Sequence, residues 1–220
     1  MSEPQRTPLY DAHLRLGARM VDFAGFEMPI QYDSILEEHA AVRKAAGLFD
    51  VSHMGQIHLR GPGAIASGEQ LVSCPVASLG VGRVRYGLLC NDAGGVVDDV
   101  TLYRLSENEL LFCVNASNIE KDHRWICEHI HSDTEVENRS AETGLLALQG
   151  PLSAEILAAV SADPKVQEIR RFRFAHHDVA GVPSLVSRTG YTGSDGFEIY
   201  LPGSRTEEVF EALLDAGRAG

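Results

Sequence analysis

The sequence predicts an α+β fold in which one strand-and-helix unit is used twice, and three observations carry that prediction. Residues 56–66, QIHLRGPGAIA, and 145–156, LLALQGPLSAEI, each run a strand into a helix that opens on Gly-Pro. Each start is followed by strands that flank a glycine loop, NDAGG at 91–95 and GYTGSDG at 190–196. Each set then reaches a helix whose apolar residues recur at helical spacing. This order of elements resembles a ferredoxin-like split βαβ unit, repeated.

Taken in chain order, residues 17–32, GARMVDFAGFEMPIQY, mix Gly, Pro and aromatic residues without a helical period and read as extended chain with turns. Residues 34–47, SILEEHAAVRKAAG, form a helix, with Ser34 and Glu37 in capping-box spacing and Gly47 as its left-handed C-cap. In the first repeat the strands are RVRYGLLC at 83–90, VVDDVTLYRL at 96–105 and LLFCVNA at 110–116. A helix follows from Ser117 to about His131, with a capping box of Ser117 and Glu120 and an apolar face of Ile119, Ile126, Cys127 and Ile130. TEVENRS at 134–140 is the closing strand. In the second repeat a helix at 154–160 precedes strands VPSLVSRT and FEIYLP and a last helix, RTEEVFEALLDAG, capped by Gly217. No closing strand follows it, which leaves an open sheet edge and marks the second unit as incomplete. The expected divisions are an N-terminal segment, 1–54, packing with the second unit; a first unit, 55–142; and a second unit, 143–220.

With 220 residues, 44% hydrophobic and 23% charged, the chain has the composition of a globular protein able to bury a core. Nineteen basic against 31 acidic residues give a net charge of −12, which disfavours phosphate backbones and anionic lipid surfaces as partners. The first residues, MSEPQRTPLY, lack the features of a signal or transit peptide, so the reading is cytoplasmic, with the mitochondrial matrix reserved for a eukaryotic source. Cys74, Cys90, Cys113 and Cys127 include no CxxC and read as buried thiols. The adjacent His176 and His177 point to opposite faces of a strand, and no metal site is expected.

Asp98 and Asp99 sit together in a strand, so their side chains face opposite sides of the sheet. Val97, Asp99, Thr101 and Tyr103 share one face; Asp98, Val100 and Leu102 share the other. A face of carboxylate, hydroxyl and phenol suits a ligand, and a structural carboxylate satisfying backbone donors is the alternative. Tyr191 and Glu198 flank the second glycine loop. Neither loop has the residues of a phosphate-binding pattern. Asp50, Ser52 and His53 in DVSHMGQ offer triad residue types but are too close in sequence for triad geometry.

The segments TPLYDAHLRLGARMVDFAGFEMPIQY, AAGLFDVSHMG, NDAGGVVDDVTLY, ALQGP and SRTGYTGSDGFEIYLP, in this order, resemble the aminomethyltransferases (T proteins) of the glycine cleavage system. The resemblance extends from Thr7 to about Gly217. It implies the folate-binding T-protein fold and transfer of a one-carbon unit from the aminomethyl-lipoyl arm of H protein to tetrahydrofolate. Ammonia is released and 5,10-methylenetetrahydrofolate is formed. The resemblance makes Asp99, the second aspartate of GGVVDD, the catalytic carboxylate, and Met54, Tyr86, Thr101, Tyr103, Asn115, Phe172, Tyr191 and Glu198 the folate-binding set. Phe172 stands where the family tends to offer a tyrosine. Family members also carry a GLGARD-type segment and a C-terminal β-barrel domain, neither of which is in this sequence. Two other readings remain: a non-catalytic folate-binding module and a truncated paralogue.

Overall fold

The computed structural model describes residues 3–219. The chain forms two compact units: the residues up to His53 fold with those from Glu142 onward, and Met54–Ala141 form the other.

The N-terminal part contributes β1 (Gln5–Arg6), α1 (Tyr10–Arg15), β2 (Arg19–Phe23), β3 (Phe26–Gln31), α2 (Ile35–Lys44) and β4 (Gly47–Asp50). β2 and β3 pair as a hairpin across Ala24 (φ 54°) and Gly25 (φ 81°), and β1 adds to β3 to complete a three-stranded sheet. Two positive φ values at a two-residue turn match the right-handed strand twist. α1 has no counterpart in the sequence reading. α2 starts after Ser34, but without the expected capping box: the Ser34 side chain makes no cap hydrogen bond. Glu38 caps instead, its carboxylate accepting from the backbone N–H groups of Tyr32 (2.8 Å) and Asp33 (3.1 Å). Gly47 is not a left-handed C-cap either. It opens β4, where a Cβ would lie 2.5 Å from Val42 Cγ2, so close packing explains the glycine.

Met54–Ala141 contains β5 (Gly55–Arg60), α3 (Ala64–Leu71), β6 (Val84–Cys90), β7 (Val96–Ser106), β8 (Glu109–Val114), α4 (Ile119–Glu128) and β9 (Glu135–Asn138). The sheet order is β6-β7-β8-β5-β9, with every neighbouring pair antiparallel. β5, α3, β7, β8, α4 and β9 make the split βαβ pattern, and β6 is an added edge strand. Leu59, Leu102, Leu110, Phe112 and Ile126 are fully buried between sheet and helices. Ser117 and Glu120 form no capping box, because Asn118 is the N-cap of α4 and sends its side chain to Asp98. The buried face of α4 also differs from expectation: Cys127 is exposed, whereas Asp122 is fully buried on the face that carries Ile119, Ile126 and Ile130. Cys74 and Cys90 are half-buried and only Cys113 is buried, which corrects the reading of four buried thiols.

The remaining chain gives β10 (Thr143–Gln149), α5 (Ser153–Val160), β11 (Phe174–Val179), β12 (Val182–Ser187), β13 (Gly196–Pro202) and α6 (Thr206–Ala219). Its sheet has the order β11-β12-β13-β10-β4, the same arrangement strand for strand. The place expected to be empty is filled: β4, from the N-terminal part, pairs antiparallel with β10 through Leu146↔Asp50 and Leu148↔Leu48. The sheet therefore has no missing strand beside β10. A strand search confined to residues after 142 misses this because β4 precedes the unit it completes. Gly217 lies inside α6 and does not cap it. Phe197, Ile199, Leu157, Val209 and Phe210 make the core.

Candidate active site

Strand alternation on β7 separates the two aspartates as expected: Asp98 is buried and Asp99 is exposed. β7 pairs Thr101 with Tyr86 on β6 and with Cys113 on β8, so directly opposed residues put Tyr86 on the face of Asp99 and Thr101. Tyr86, 53% exposed, donates its hydroxyl to Asp99 Oδ2 at 3.3 Å. Asn115 follows the last residue of β8, and its Nδ2 reaches Asp99 Oδ1 (3.0 Å), the Asp99 carbonyl (3.2 Å) and Asp98 Oδ1 (2.9 Å). Tyr86, Asp99, Thr101 and Asn115 thus form one polar patch on a sheet. Tyr103 lies further along the same strand and is fully buried. Met54 is half-buried, and its carbonyl accepts from Gln56 Nε2 at 2.8 Å.

Beneath the patch, Asp98 accepts from the Asn115 backbone N–H (3.1 Å), Asn115 Nδ2 and Asn118 Nδ2 (2.7 Å). Burial would raise its pKa, but hydrogen bonding from Asp122, Asn115 and Asn118 outweighs burial and holds it below the ordinary carboxylate value. Asp122 shows the opposite balance, since burial first and then the neighbouring Asp98 push it up to about 8. Asn118 and Asp122 were missed by sequence reasoning. Asp122 had a signal, because it falls three residues after Ile119 and four before Ile126, on a buried helical stripe.

The other unit holds Phe172, Tyr191 and Glu198. Glu198 on β13 accepts a short hydrogen bond from Thr189 Oγ1, which also contacts Ser187 Oγ at 2.7 Å. Tyr191 stands on the glycine loop and is 98% exposed. Phe172 is 45% exposed at a positive φ of 55°, with the Arg171 guanidinium 5.5 Å from its ring centre. The loop is held by groups the sequence reading did not single out. Arg188 pairs with both Asp195 carboxylate oxygens, Arg43 donates to the Thr192 carbonyl and Ser194 Oγ, and Thr192 donates to Gln149 Oε1. Gly190 and Gly196 exist to seat Gln149: a Cβ at either would lie within 2.0 or 2.4 Å of its amide.

Asp50 is engaged elsewhere than in a triad. Its Oδ2 accepts from Thr7 Oγ1 (2.6 Å) and meets His13 Nε2 (3.0 Å), while Ser52 Oγ donates to the Leu145 carbonyl. His53 is buried, its Nδ1 without a hydrogen-bond partner among the described residues. His176 and His177 alternate across β11, and no group of three metal-ligating side chains occurs among the described residues.

The family of the GCVT N-terminal domain matches residues 9–220. The chain belongs to that family. It is 50% identical to an aminomethyltransferase of Symbiobacterium thermophilum and 49% identical to that of Geobacillus thermodenitrificans, in both cases over 97% of this chain and 58% of the relative. The crystal structure of glycine cleavage system aminomethyltransferase T from Bartonella henselae superimposes with a TM-score of 0.88 at 35% identity, covering 96% of this chain and 57% of that one. A heterotetrameric sarcosine oxidase from Corynebacterium shares the fold, with a TM-score of 0.65 at 21% identity. This GCVT-family chain thus spans somewhat more than half the length of its curated relatives. No helix among its described residues is long and apolar enough to cross a membrane.

Proposed function

We propose that this chain binds tetrahydrofolate and carries, at Asp99, the transfer of a one-carbon unit to it from the aminomethyl-lipoyl arm of H protein, with release of ammonia. The observation that supports the reading is the patch of Tyr86, Asp99 and Asn115 on one sheet face, in a chain whose relatives are named aminomethyltransferases. Tetrahydrofolate supplies a flat ring system whose amine nitrogen takes up the one-carbon unit. The residues fit such a group. Asp99 offers a solvent-accessible carboxylate already held in place by two neighbours, and Tyr86 offers an exposed aromatic ring.

Asp99 does the electrostatic work in this reading. Its fixed carboxylate orients an N–H of the ligand and stabilises positive charge as it develops near the reacting nitrogen, an effect worth about 3 kcal/mol when the group is preorganised. Asn115 and Tyr86 keep it in one rotamer, so no reorganisation is needed during transfer. The proposal includes 5,10-methylenetetrahydrofolate as the product, H protein as the partner and a cytoplasmic setting.

A transfer assay with lipoylated, aminomethyl-loaded H protein and tetrahydrofolate tests the reading. Formation of methylenetetrahydrofolate, and its loss in Asp99→Asn, is the expected result. Saturable folate binding without transfer would reduce the chain to a folate-binding module. A folded chain that neither binds nor transfers would refute the proposal.

A further inference from the structure

A second carboxylate pair lies under the proposed site and has no part in the transfer just described. Asp122, on α4, is fully buried, and among the described residues the Asp98 carboxyl is the one hydrogen-bonding neighbour of its carboxyl group. An ionised carboxylate in that position is costly. The charged groups that face it are Asp98 from β7 and Lys121 from its own helix. Lys121 is a weak counter-ion, since its Nζ stays 3.9 Å from Asp122 Oδ1 and donates at 2.5 Å to the Val97 carbonyl. Asp98, by contrast, collects the Asn115 backbone N–H, Asn115 Nδ2 and Asn118 Nδ2, an environment that favours its charged form. Two adjacent buried carboxyls with donors around only one of them divide their roles, the first as anion and the second as neutral acid.

The consequence falls on Asn115. Asp98 Oδ1, Asp99 Oδ1 and the Asp99 carbonyl all stand within 3.2 Å of one end of its carboxamide, and three acceptors admit only the NH2 end. The nitrogen is committed to the protein, so the amide oxygen is the part left to meet a ligand. The same contact holds Asp99.

We propose that Asp98 and Asp122 are positioning residues for this site: a neutral Asp122 lets Asp98 stay anionic, and anionic Asp98 fixes Asn115 so that the site offers its ligand acceptors, from Asn115 and Asp99, and selects a ligand edge that carries N–H donors. The inference deepens the folate reading and rests on it for the identity of the ligand. The buried pair itself does not. When Asp122 loses its proton, two like charges share one buried space, and the support beneath Asn115 loosens.

Two measurements on the whole chain separate these layers. In the first, carbon-13 resonances of the aspartate carboxyls and the side-chain NH2 resonances of Asn115 are followed against pH without ligand. The expected result is that Asp122 titrates near pH 8, with the Asn115 NH2 signals shifting at the same midpoint, and that Asp122→Asn, which carries a neutral donor at every pH, abolishes that shift. An Asp122 that is ionised at pH 6, or Asn115 signals indifferent to the titration, would overturn the inference whatever the chain binds. In the second, tetrahydrofolate affinity is measured against pH. Wild-type binding is expected to weaken about tenfold as Asp122 ionises, and Asp98→Asn to weaken it by a similar factor at neutral pH. Asp122→Asn should remove the alkaline weakening. Alkaline weakening that persists in Asp122→Asn would overturn the coupling. Absence of folate binding alongside the expected titration would refute the proposed function and leave the positioning pair intact.

Discussion

Asp98 and Asp99 are chemically identical neighbours with opposite surroundings, and the pleat of β7 is the cause. One is enclosed among N–H donors; the other is displayed beside Tyr86. Replacing Asp99 by Asn preserves shape and removes charge, so transfer is expected to fall by about two orders of magnitude or more. Thermal unfolding should show little change, because the carboxylate is exposed. A variant with near wild-type turnover would contradict the role. For Asp122 the prediction concerns stability. Its pKa rises from 3.8 in the unfolded chain to about 8 in the folded one, so the native form holds a proton that the unfolded form releases. The group's contribution is complete below the unfolded value and is lost as the pH rises towards the folded one. Asp122→Asn has no such titration, so its melting temperature relative to wild type should rise from about pH 4 to about pH 8 and then level off. A pH-independent difference would count against a neutral Asp122. Alternation made the fate of Asp99 legible in the sequence. Asp122 was hidden because a search for apolar residues reads a carboxylate on a helix as solvent-facing, and Cys127, apolar in type, took its place in the expected stripe.

The element that most changes the sequence reading is β4. Its four residues complete the sheet beside β10, and Asp50 at its end gathers Thr7, His13 and the Ser52 backbone N–H, tying the chain before α1, and α1 itself, to the sheet. Burial would raise the Asp50 pKa, but hydrogen bonds from His13, Ser52 and Thr7 outweigh it and hold the value low. Its stabilising contribution is therefore present above the ordinary carboxylate value and is lost as the pH falls through the depressed one. Asp50→Ala removes the buried partner of His13 Nε2, leaving that ring only its Nδ1 contact with the Tyr32 hydroxyl, and is expected to cost about 3 kcal/mol in urea unfolding. A loss below about 1 kcal/mol would mean that this network does not anchor β4. The repeat was visible because both Gly-Pro helix starts follow strands. The closing strand was not, because strand pairing is non-local and β4 lies about a hundred residues from its partner β10. Capping boxes misled for a local reason: Glu38 caps the start of α2 in place of Ser34 and Glu37, and α4 begins at Asn118, whose side chain is drawn to Asp98 rather than to the helix N–H groups.

At the scale of the molecule, the chain combines two copies of one sheet arrangement, each with its own core, and belongs to a family whose curated relatives are longer. Five segments in order carry the resemblance, so family and fold are legible in the sequence. The polar support under the patch is not, since it depends on contacts among β7, the turn after β8 and α4. A ligand that binds only the folded form raises stability by mass action, by about 2.7 kcal/mol at a hundred times its dissociation constant. Tetrahydrofolate should therefore raise the unfolding midpoint of the wild-type chain in proportion to the logarithm of its concentration, and an unchanged midpoint would speak against a folate site. Folate binding at this patch is tested by an anaerobic calorimetric titration of the chain with tetrahydrofolate, run beside Asn115→Ala. Saturable binding that weakens about tenfold in the variant is the predicted result. A folded wild-type chain that takes up no tetrahydrofolate, or binding that ignores Asn115, would rule out a folate site built on Asn115 and Asp99.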